Sequence, residues 1–60
     1  MRFREIQKII LKDGWELDRT AGSHHQYKHP TKPGIVTIPN HRGDIPPATI
    51  KSILKQAGLK

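Results

Sequence analysis

The sequence predicts an α+β fold with two layers, in which two helices cover one face of a three-stranded antiparallel sheet. Apolar residues recur at a helical spacing near each end of the chain, and three β-rich segments lie between them. The turns that join these segments are short, which favours antiparallel pairing. The predicted order is therefore α-β-β-β-α in a single domain, residues 1–60, with the second face of the sheet left open.

The first helix is predicted over residues 3–12. Its apolar residues are spaced for one helix face, and they are Phe3, Ile6, Ile9 and Ile10. We expect the helix to end at Asp13 and Gly14, because glycine accepts the left-handed conformation that follows a helix C-terminus. Basic residues share another face, as phosphate contacts or as an ordinary solvated surface, and they are Arg4, Lys8 and Lys12.

Strands are predicted at residues 15–20, 23–29 and 35–38. The first strand alternates apolar and polar residues, so Trp15 and Leu17 are expected to face inward. The third strand is β-branched throughout, which is typical of a strand, and a proline ends it.

The last helix is predicted to begin with Pro47 at its first position. Ile45 and Pro46 each precede a proline, which disfavours a helical backbone at both. Gly58 is expected to end this helix. Its apolar face follows a helical spacing and consists of Ile50, Ile53, Leu54 and Ala57.

The composition limits any chemistry to the surface. A chain of 60 residues with 33% apolar content builds a thin core, which leaves no room for a large cofactor pocket. The absence of cysteine excludes disulfides and cysteine-based zinc sites, and it fits a reducing compartment. The longest apolar run is Ile9 to Leu11, so we expect neither a signal peptide nor a membrane span, and a cytoplasmic location.

Positive charge is concentrated in the second part of the chain. The net charge is +6, of which residues 1–20 contribute +1 and residues 21–60 contribute +5. This clustering indicates a polyanionic partner, either a nucleic acid or an acidic protein.

The second strand carries the most unusual polar residues. If Tyr27, its only bulky residue, packs under the helices, then His25 and His29 share its face. The open face then presents an imidazole, an amide and an ammonium in a row, from His24, Gln26 and Lys28. The opposite parity would reverse the two faces.

An exposed histidine beside a lysine suits cleavage of an RNA backbone. The imidazole of His24 can take the proton of a 2′-hydroxyl, while Lys28 stabilises charge that grows on the phosphoryl oxygens. Gly22 would let a nucleic-acid backbone approach closely. The alternative is that His24 is an ordinary surface residue.

The four histidines do not predict a metal site. Zinc sites usually combine histidine with cysteine or carboxylate at recognisable spacings. Adjacent His24 and His25 point to opposite faces of a strand and cannot share one metal. The polar loop at residues 39–44 is either a plain connector, or it brings Arg42 to a phosphate or His41 to a second proton transfer.

Four motifs in combination identify a family resemblance. They are Asp13-Gly14-Trp15, the run Gly22-Ser23-His24-His25-Gln26-Tyr27, the run Val36-Thr37-Ile38-Pro39 followed by His41, and the ending from Thr49 to Leu59. With these motifs, essentially the whole chain resembles the HicA family of toxins from bacterial and archaeal toxin–antitoxin pairs.

The resemblance implies a fold similar to a double-stranded RNA-binding domain and the activity of a ribosome-independent mRNA interferase that arrests translation. It implies that His24 is the essential histidine, that Gly22 is the matching glycine, and that no metal is needed. It further implies a HicB-like antitoxin that covers the active surface. We expect mRNA as the substrate, and neither a membrane nor a small-molecule cofactor as a partner.

We therefore expect a toxin that is an endoribonuclease, with His24 as its general acid/base. The group that supplies the second proton stays open among His25, Lys28 and His41. An alternative function is a non-enzymatic double-stranded RNA-binding module, which needs the same fold and charge. The residues expected to contact RNA are Gly22, Ser23, Gln26, Lys28, Arg42, Lys51 and Lys55.

Overall fold

A computed structural model describes residues 1–40 and 42–59, and it has the predicted α+β architecture. The elements in chain order are α1 (Phe3–Lys12), β1 (Glu16–Ala21), β2 (His24–Lys28), β3 (Val36–Pro39) and α2 (Pro47–Gln56). The strands form one antiparallel sheet in the order β1-β2-β3, so β2 is central and the other two strands are edges.

The core lies between the sheet and both helices. Tyr27 of β2 is fully buried, which confirms its predicted inward orientation. Burial raises the pKa of its hydroxyl, whose oxygen accepts a hydrogen bond of 2.9 Å from Nε2 of Gln7 in α1. The buried apolar residues are Ile6, Ile10, Trp15, Tyr27, Val36, Ile38, Ile45, Ile50, Ile53 and Ala57.

The helix bounds confirm the predictions, and each strand bound shifts by one residue. Pro39 is the last residue of β3 rather than the residue after it. A proline is tolerated here because of the direction in which the backbone nitrogens of β3 point. The backbone N–H of Thr37 points away from β2 and donates to Oε1 of Gln56 at 3.3 Å. The nitrogen two residues later points the same way, so proline removes no hydrogen bond from the ladder.

Two apolar residues predicted to face the core are exposed. Leu17 opposes Tyr27 and so shares its face, but it is 50% exposed because β1 is an edge strand and the helices pack against β3. Ile9 is 38% exposed, on a flank of α1 that points away from the sheet. The apolar stripe of α1 is therefore narrower than predicted.

The N-terminus is tied to the segment that follows β3. The backbone N–H of Ile45 donates to the carbonyl of Met1 at 2.8 Å, and Arg2 pairs with Asp44 as an isolated bridge. The backbone N–H of Arg2 also donates to Oε1 of Glu5 at 2.8 Å, which caps α1. These bonds hold the start of α1 against the β3–α2 loop. Neither α1 nor α2, the two helices of the described residues, has the length and apolar content that a membrane-spanning helix needs.

Candidate functional site

His24 begins β2, directly after a two-residue turn. Gly22, the first turn residue, has φ +59°, whereas no non-glycine residue among those described has a positive φ. A positive φ at the first position alone is the type II′ geometry, which fits the twist of a hairpin. A Cβ built at Gly22 would meet no atom within 4 Å. Glycine is therefore required here for its backbone conformation, and the space beside it is open.

A backbone hydrogen bond fixes this turn against the end of β3. The N–H of Asn40 donates to the carbonyl of Ser23 at 2.6 Å. His24 is then flanked in the sheet by Ala21 of β1 and Pro39 of β3. Its side chain is exposed, and no described residue forms a hydrogen bond with its ring. The imidazole stands between two small side chains and is accessible to a ligand.

The predicted parity of β2 is confirmed. His24 and Lys28 are exposed on the open face with half-buried Gln26 between them, while buried Tyr27 points to the helices. His25 points the same way as Tyr27, and its ring centroid lies 4.9 Å from that of Phe3. Its Nδ1 is buried without a hydrogen-bond partner among the described residues. His24 and His25 therefore face opposite sides of the sheet.

A β-bulge at Asp18 brings a further cation to the open face. The register shifts between Leu17 and Arg19, so that Arg19 opposes Gln26. Strict alternation from Leu17 would instead direct Arg19 toward the helices. The extra residue reverses the parity and aims Arg19 at the open face, as bulges near functional sites often do. The sequence pattern did not reveal Arg19, because a bulge is defined by pairing with the next strand.

One carboxylate neutralises much of the charge on the open face. Asp18 Oδ1 lies 3.6 Å from Nζ of Lys28, and Asp18 Oδ2 lies 3.5 Å from Nε of Arg19. Glu16 opposes Lys28 on the same face. The open face is therefore less basic than the charge count of residues 21–60 predicts.

The other predicted RNA contacts lie away from this face. Lys51 and Lys55 are exposed on α2, which packs on the opposite side of the sheet from His24. Arg42 lines a cleft beside the start of α1. His41 lies outside the described residues. The structure brings together Gly22, Ser23 and His24, but it separates them from the lysines of α2.

The cleft beside α1, here called the arginine cleft, has one wall from α1 and one from the β3–α2 loop. Its lining residues are Arg2, Phe3, Arg4, Gln7, Asn40, Arg42 and Gly43. The sequence grouped Arg4 with Lys8 and Lys12, but those lysines line a different cleft together with Met1, Glu5 and Ile9. The arginine cleft could not be read from one helix, because it depends on a contact between distant segments.

His29, just after β2, is bonded on both ring nitrogens. Its Nε2 donates to the carbonyl of Asp13 at 2.8 Å, while its Nδ1 accepts from the backbone N–H of Thr31 and of Lys32, each at 3.0 Å. Two incoming N–H groups fix Nδ1 as the acceptor. The ring also packs edge-on against Trp15 with centroids 5.1 Å apart. His29 therefore has a structural role.

Lys32 continues this network between the helix ends. Its Nζ lies 2.5 Å from Oδ2 of Asp13 and donates to the carbonyl of Ala57 at 3.0 Å. The hydrogen bond from Lys32 lowers the pKa of the Asp13 carboxyl below its usual value. Within the described part of the chain, no three His, Asp or Glu side chains come together as a metal site would require.

Comparison with protein families gives a match over residues 3–59, to the model described as the HicA toxin of bacterial toxin–antitoxin. This chain belongs to the HicA toxin family. The match covers nearly the whole chain and confirms the resemblance seen in the sequence. No curated protein matches it.

Membership makes the chain the toxin of a toxin–antitoxin system, with a cognate antitoxin as its partner. HicA toxins are generally RNase-like. In this HicA toxin, the Gly-Ser-His motif forms the hairpin turn at one end of the sheet, and its histidine is the exposed His24.

Proposed function

We propose that this HicA toxin is a metal-independent endoribonuclease that cleaves mRNA and so arrests translation, with His24 as general acid/base. The observation that carries the proposal is the exposure of the His24 imidazole between Ala21 and Pro39, with no described residue bonded to its ring. His29 provides the contrast, because both of its ring nitrogens are hydrogen-bonded. An imidazole with neither ring nitrogen engaged can exchange a proton with a bound ligand.

In the proposed reaction, neutral His24 takes the proton of a ribose 2′-hydroxyl. The 2′-oxygen attacks the adjacent phosphorus, the bond from phosphorus to the 5′-oxygen breaks, and a proton is delivered to that leaving oxygen. The products are a 2′,3′-cyclic phosphate and a 5′-hydroxyl. General acid–base catalysis of this kind contributes about 10² to 10⁴ in rate.

Distances along the sheet favour Arg19 over Lys28 as the cation at the reacting phosphate. Lys28 is four residues from His24 on one strand, which is about 13 Å between Cα atoms. Arg19 is a diagonal neighbour of His24 on the adjacent strand, at about 7–8 Å. We therefore assign Arg19 to the charge that develops on the phosphoryl oxygens, and Lys28 to a neighbouring phosphate.

The orientation of β2 narrows the candidates for the second proton. His25 faces the helices and packs against Phe3, so it cannot reach a phosphate held at His24. Lys28, assigned above to a neighbouring phosphate, lies too far along β2 to reach the leaving oxygen of the phosphate held at His24. Of the three candidates, His41 is therefore the one that stays open.

The proposed RNA contacts fall into two sets. The residues that adjoin His24 are Gly22, Ser23 and Gln26. The residues that would contact RNA only where the strand continues beyond the open face are Arg42, Lys51 and Lys55. The antitoxin would inhibit by covering His24.

The test is cleavage of a single-stranded RNA by purified toxin in excess EDTA. We expect His24→Ala to lose about 10² to 10⁴ in rate while its thermal unfolding stays unchanged. The matched control is His25→Gln, a change at the adjacent histidine on the opposite face, which should retain cleavage. Full activity of the His24→Ala protein, or an equal loss in the His25→Gln protein, would refute the assignment.

A second candidate is a non-enzymatic double-stranded RNA-binding module. The observation that favours it is the fold itself, with two helices on one face of a three-stranded sheet. Such a module binds roughly 16 base pairs through phosphates and 2′-hydroxyls. It predicts tight binding to duplex RNA, no cleavage, and no effect of His24→Ala on the growth of cells that express the protein.

A further inference from the structure

We propose that the arginine cleft binds part of the same RNA strand that is cleaved at His24. The groups bound there are the phosphodiesters that neighbour the cleaved one. This inference rests on the proposed function and names a second binding site for the same substrate. It begins from an imbalance of charge. Three guanidinium-bearing residues, Arg2, Arg4 and Arg42, line one cleft, and no carboxylate lines it among the described residues.

The carboxylates nearest in sequence are engaged elsewhere. Glu5 accepts the backbone N–H of Arg2 and lines the cleft on the other flank of α1. Asp44 lies 3.9 Å from the N-terminal ammonium of Met1. By contrast, Arg19, Lys28 and Lys32 each have a carboxylate within 4 Å. The arginine cleft is thus a concentration of positive charge without an internal counterion. Like charges held close together repel one another, and a bound anion offsets that repulsion.

The chemistry of the lining fits a phosphodiester. A guanidinium presents a planar fork of donors that matches two phosphate oxygens, and arginine keeps its charge at any physiological pH. The amides of Gln7 and Asn40 add neutral polar groups beside the three cations. RNA offers regularly spaced negative charges, so one strand can satisfy several such groups in succession.

Continuity with His24 identifies the occupant. Asn40 lines the arginine cleft, and its backbone N–H is bonded to the carbonyl of Ser23, the residue before His24. The cleft therefore begins where the turn that carries His24 meets the end of β3. A strand with its reactive ribose at His24 passes over this end of the sheet and reaches the arginines. An acidic segment of the antitoxin is the competing occupant.

The experiment measures RNA affinity against salt concentration in the His24→Ala background, so that binding is read without cleavage. The test variant is Arg4→Gln/Arg42→Gln, which changes one arginine on each wall of the cleft. The matched control is Lys8→Gln/Lys12→Gln, which removes the same charge from the other flank of α1. All four side chains are exposed, so both proteins are expected to fold.

We expect the slope of log affinity against log salt to fall by about 1.4 in the arginine variant, because each phosphate contact contributes about 0.7 for single strands. When the salt concentration rises from about 50 to 200 mM, the arginine variant should therefore lose about sevenfold less affinity than its parent. The lysine variant should keep the parent slope. If the double variant does not fold, the single Arg42→Gln, outside both helices, should lower the slope by about 0.7.

Cleavage kinetics of the protein that retains His24 distinguish a failure of this inference from a failure of the proposed function. We expect Arg4→Gln/Arg42→Gln to raise KM for a long RNA with kcat unchanged, and to leave cleavage of a dinucleotide unaffected. An equal fall in slope in both doubles, or a loss of antitoxin binding with RNA binding intact, would overturn the inference. If the parent protein cleaves no RNA, the proposed function fails, and the salt series still reports on the cleft.

Discussion

The two ends of β2 carry the same residue type in opposite circumstances. At its first end, His24 is exposed, has no hydrogen-bond partner among the described residues, and follows Ser23, whose carbonyl is bonded to Asn40 of the arginine cleft. Just past its other end, His29 bonds Asp13 and the backbone of Thr31 and Lys32. The difference shows that the two ends of the sheet have different roles. The end at His29, here called the joined end, holds segments of the fold together, while the end at His24, here called the free end, is open to a ligand.

The joined end connects three parts of the chain. Asp13 lies at the end of α1, Lys32 lies in the loop between β2 and β3, and Ala57 follows α2. Their hydrogen bonds link segments whose apolar contacts alone are few in a chain of 60 residues. Substitutions at this end should therefore lower stability, and substitutions at the free end should lower binding or catalysis.

The largest effect on stability is expected from glycine substitutions that contrast the two ends. At Gly14, with φ +105°, an added Cβ would lie 2.7 Å from Nε2 of His29, whereas at Gly22 it would meet nothing within 4 Å. We expect Gly14→Ala to lose about 3 kcal/mol of unfolding free energy and Gly22→Ala about 1 kcal/mol. Urea unfolding measures both, and equal losses would contradict the difference between the ends.

A second contrast compares alanine substitutions of the two histidines, His29 and His24. We expect His29→Ala to lose about 2 kcal/mol, because three backbone groups lose their partner and Trp15 loses a packing contact. His24→Ala should stay within about 0.5 kcal/mol of the parent. Thermal or urea unfolding of the two proteins checks this. A His24→Ala protein as unstable as His29→Ala would mean that His24 has a structural partner.

Acid should weaken the joined end. The pKa of Asp13 is lower in the folded protein than in the unfolded chain, so its contribution to stability is present above about pH 4 and is lost as the pH falls through the folded-state value. We expect the stability difference between the parent and Asp13→Asn to shrink on going from neutral to acid pH. Unfolding midpoints across that range measure it, with exposed Glu16→Gln as the control. A difference that is constant with pH would exclude this role.

The smallest effect should come from releasing the cations of the open face. Asp18→Asn removes the carboxylate shared by Arg19 and Lys28, and we expect about threefold tighter RNA binding at low salt that vanishes at high salt. Stability should change by less than about 0.5 kcal/mol. The double variant Asp18→Asn/Arg19→Gln should lose most of the gain. A gain that persists in it would show that Arg19 is not the cation released.

Local patterns predicted much of this molecule. The helical spacing located α1 and α2 to within a residue, and the bulk of Tyr27 was sufficient to orient β2. The sequence also predicts a short turn at Ala21 and Gly22, and the turn lies one residue later, at Gly22 and Ser23. Each of these features depends on neighbours within a few positions along the chain, which is why the sequence alone reveals them.

The features that escaped prediction depend on distant partners. Arg19 reaches the open face only because a bulge changes its register with β2, and Leu17 is exposed only because β1 lies beyond the helices. The arginine cleft requires the β3–α2 loop to meet the start of α1. No spacing within one element encodes such contacts.

The unpaired edges of the sheet bear on what happens when the toxin is released from its antitoxin. The outer edge of β3 is blocked where Gln56 accepts the N–H of Thr37, and Pro39 has no N–H to offer. On the other edge, the bulge at Asp18 distorts β1 and places charged side chains along it. Sheets protected in these ways resist joining edge to edge with other copies. Freed toxin should therefore stay dispersed instead of forming aggregates.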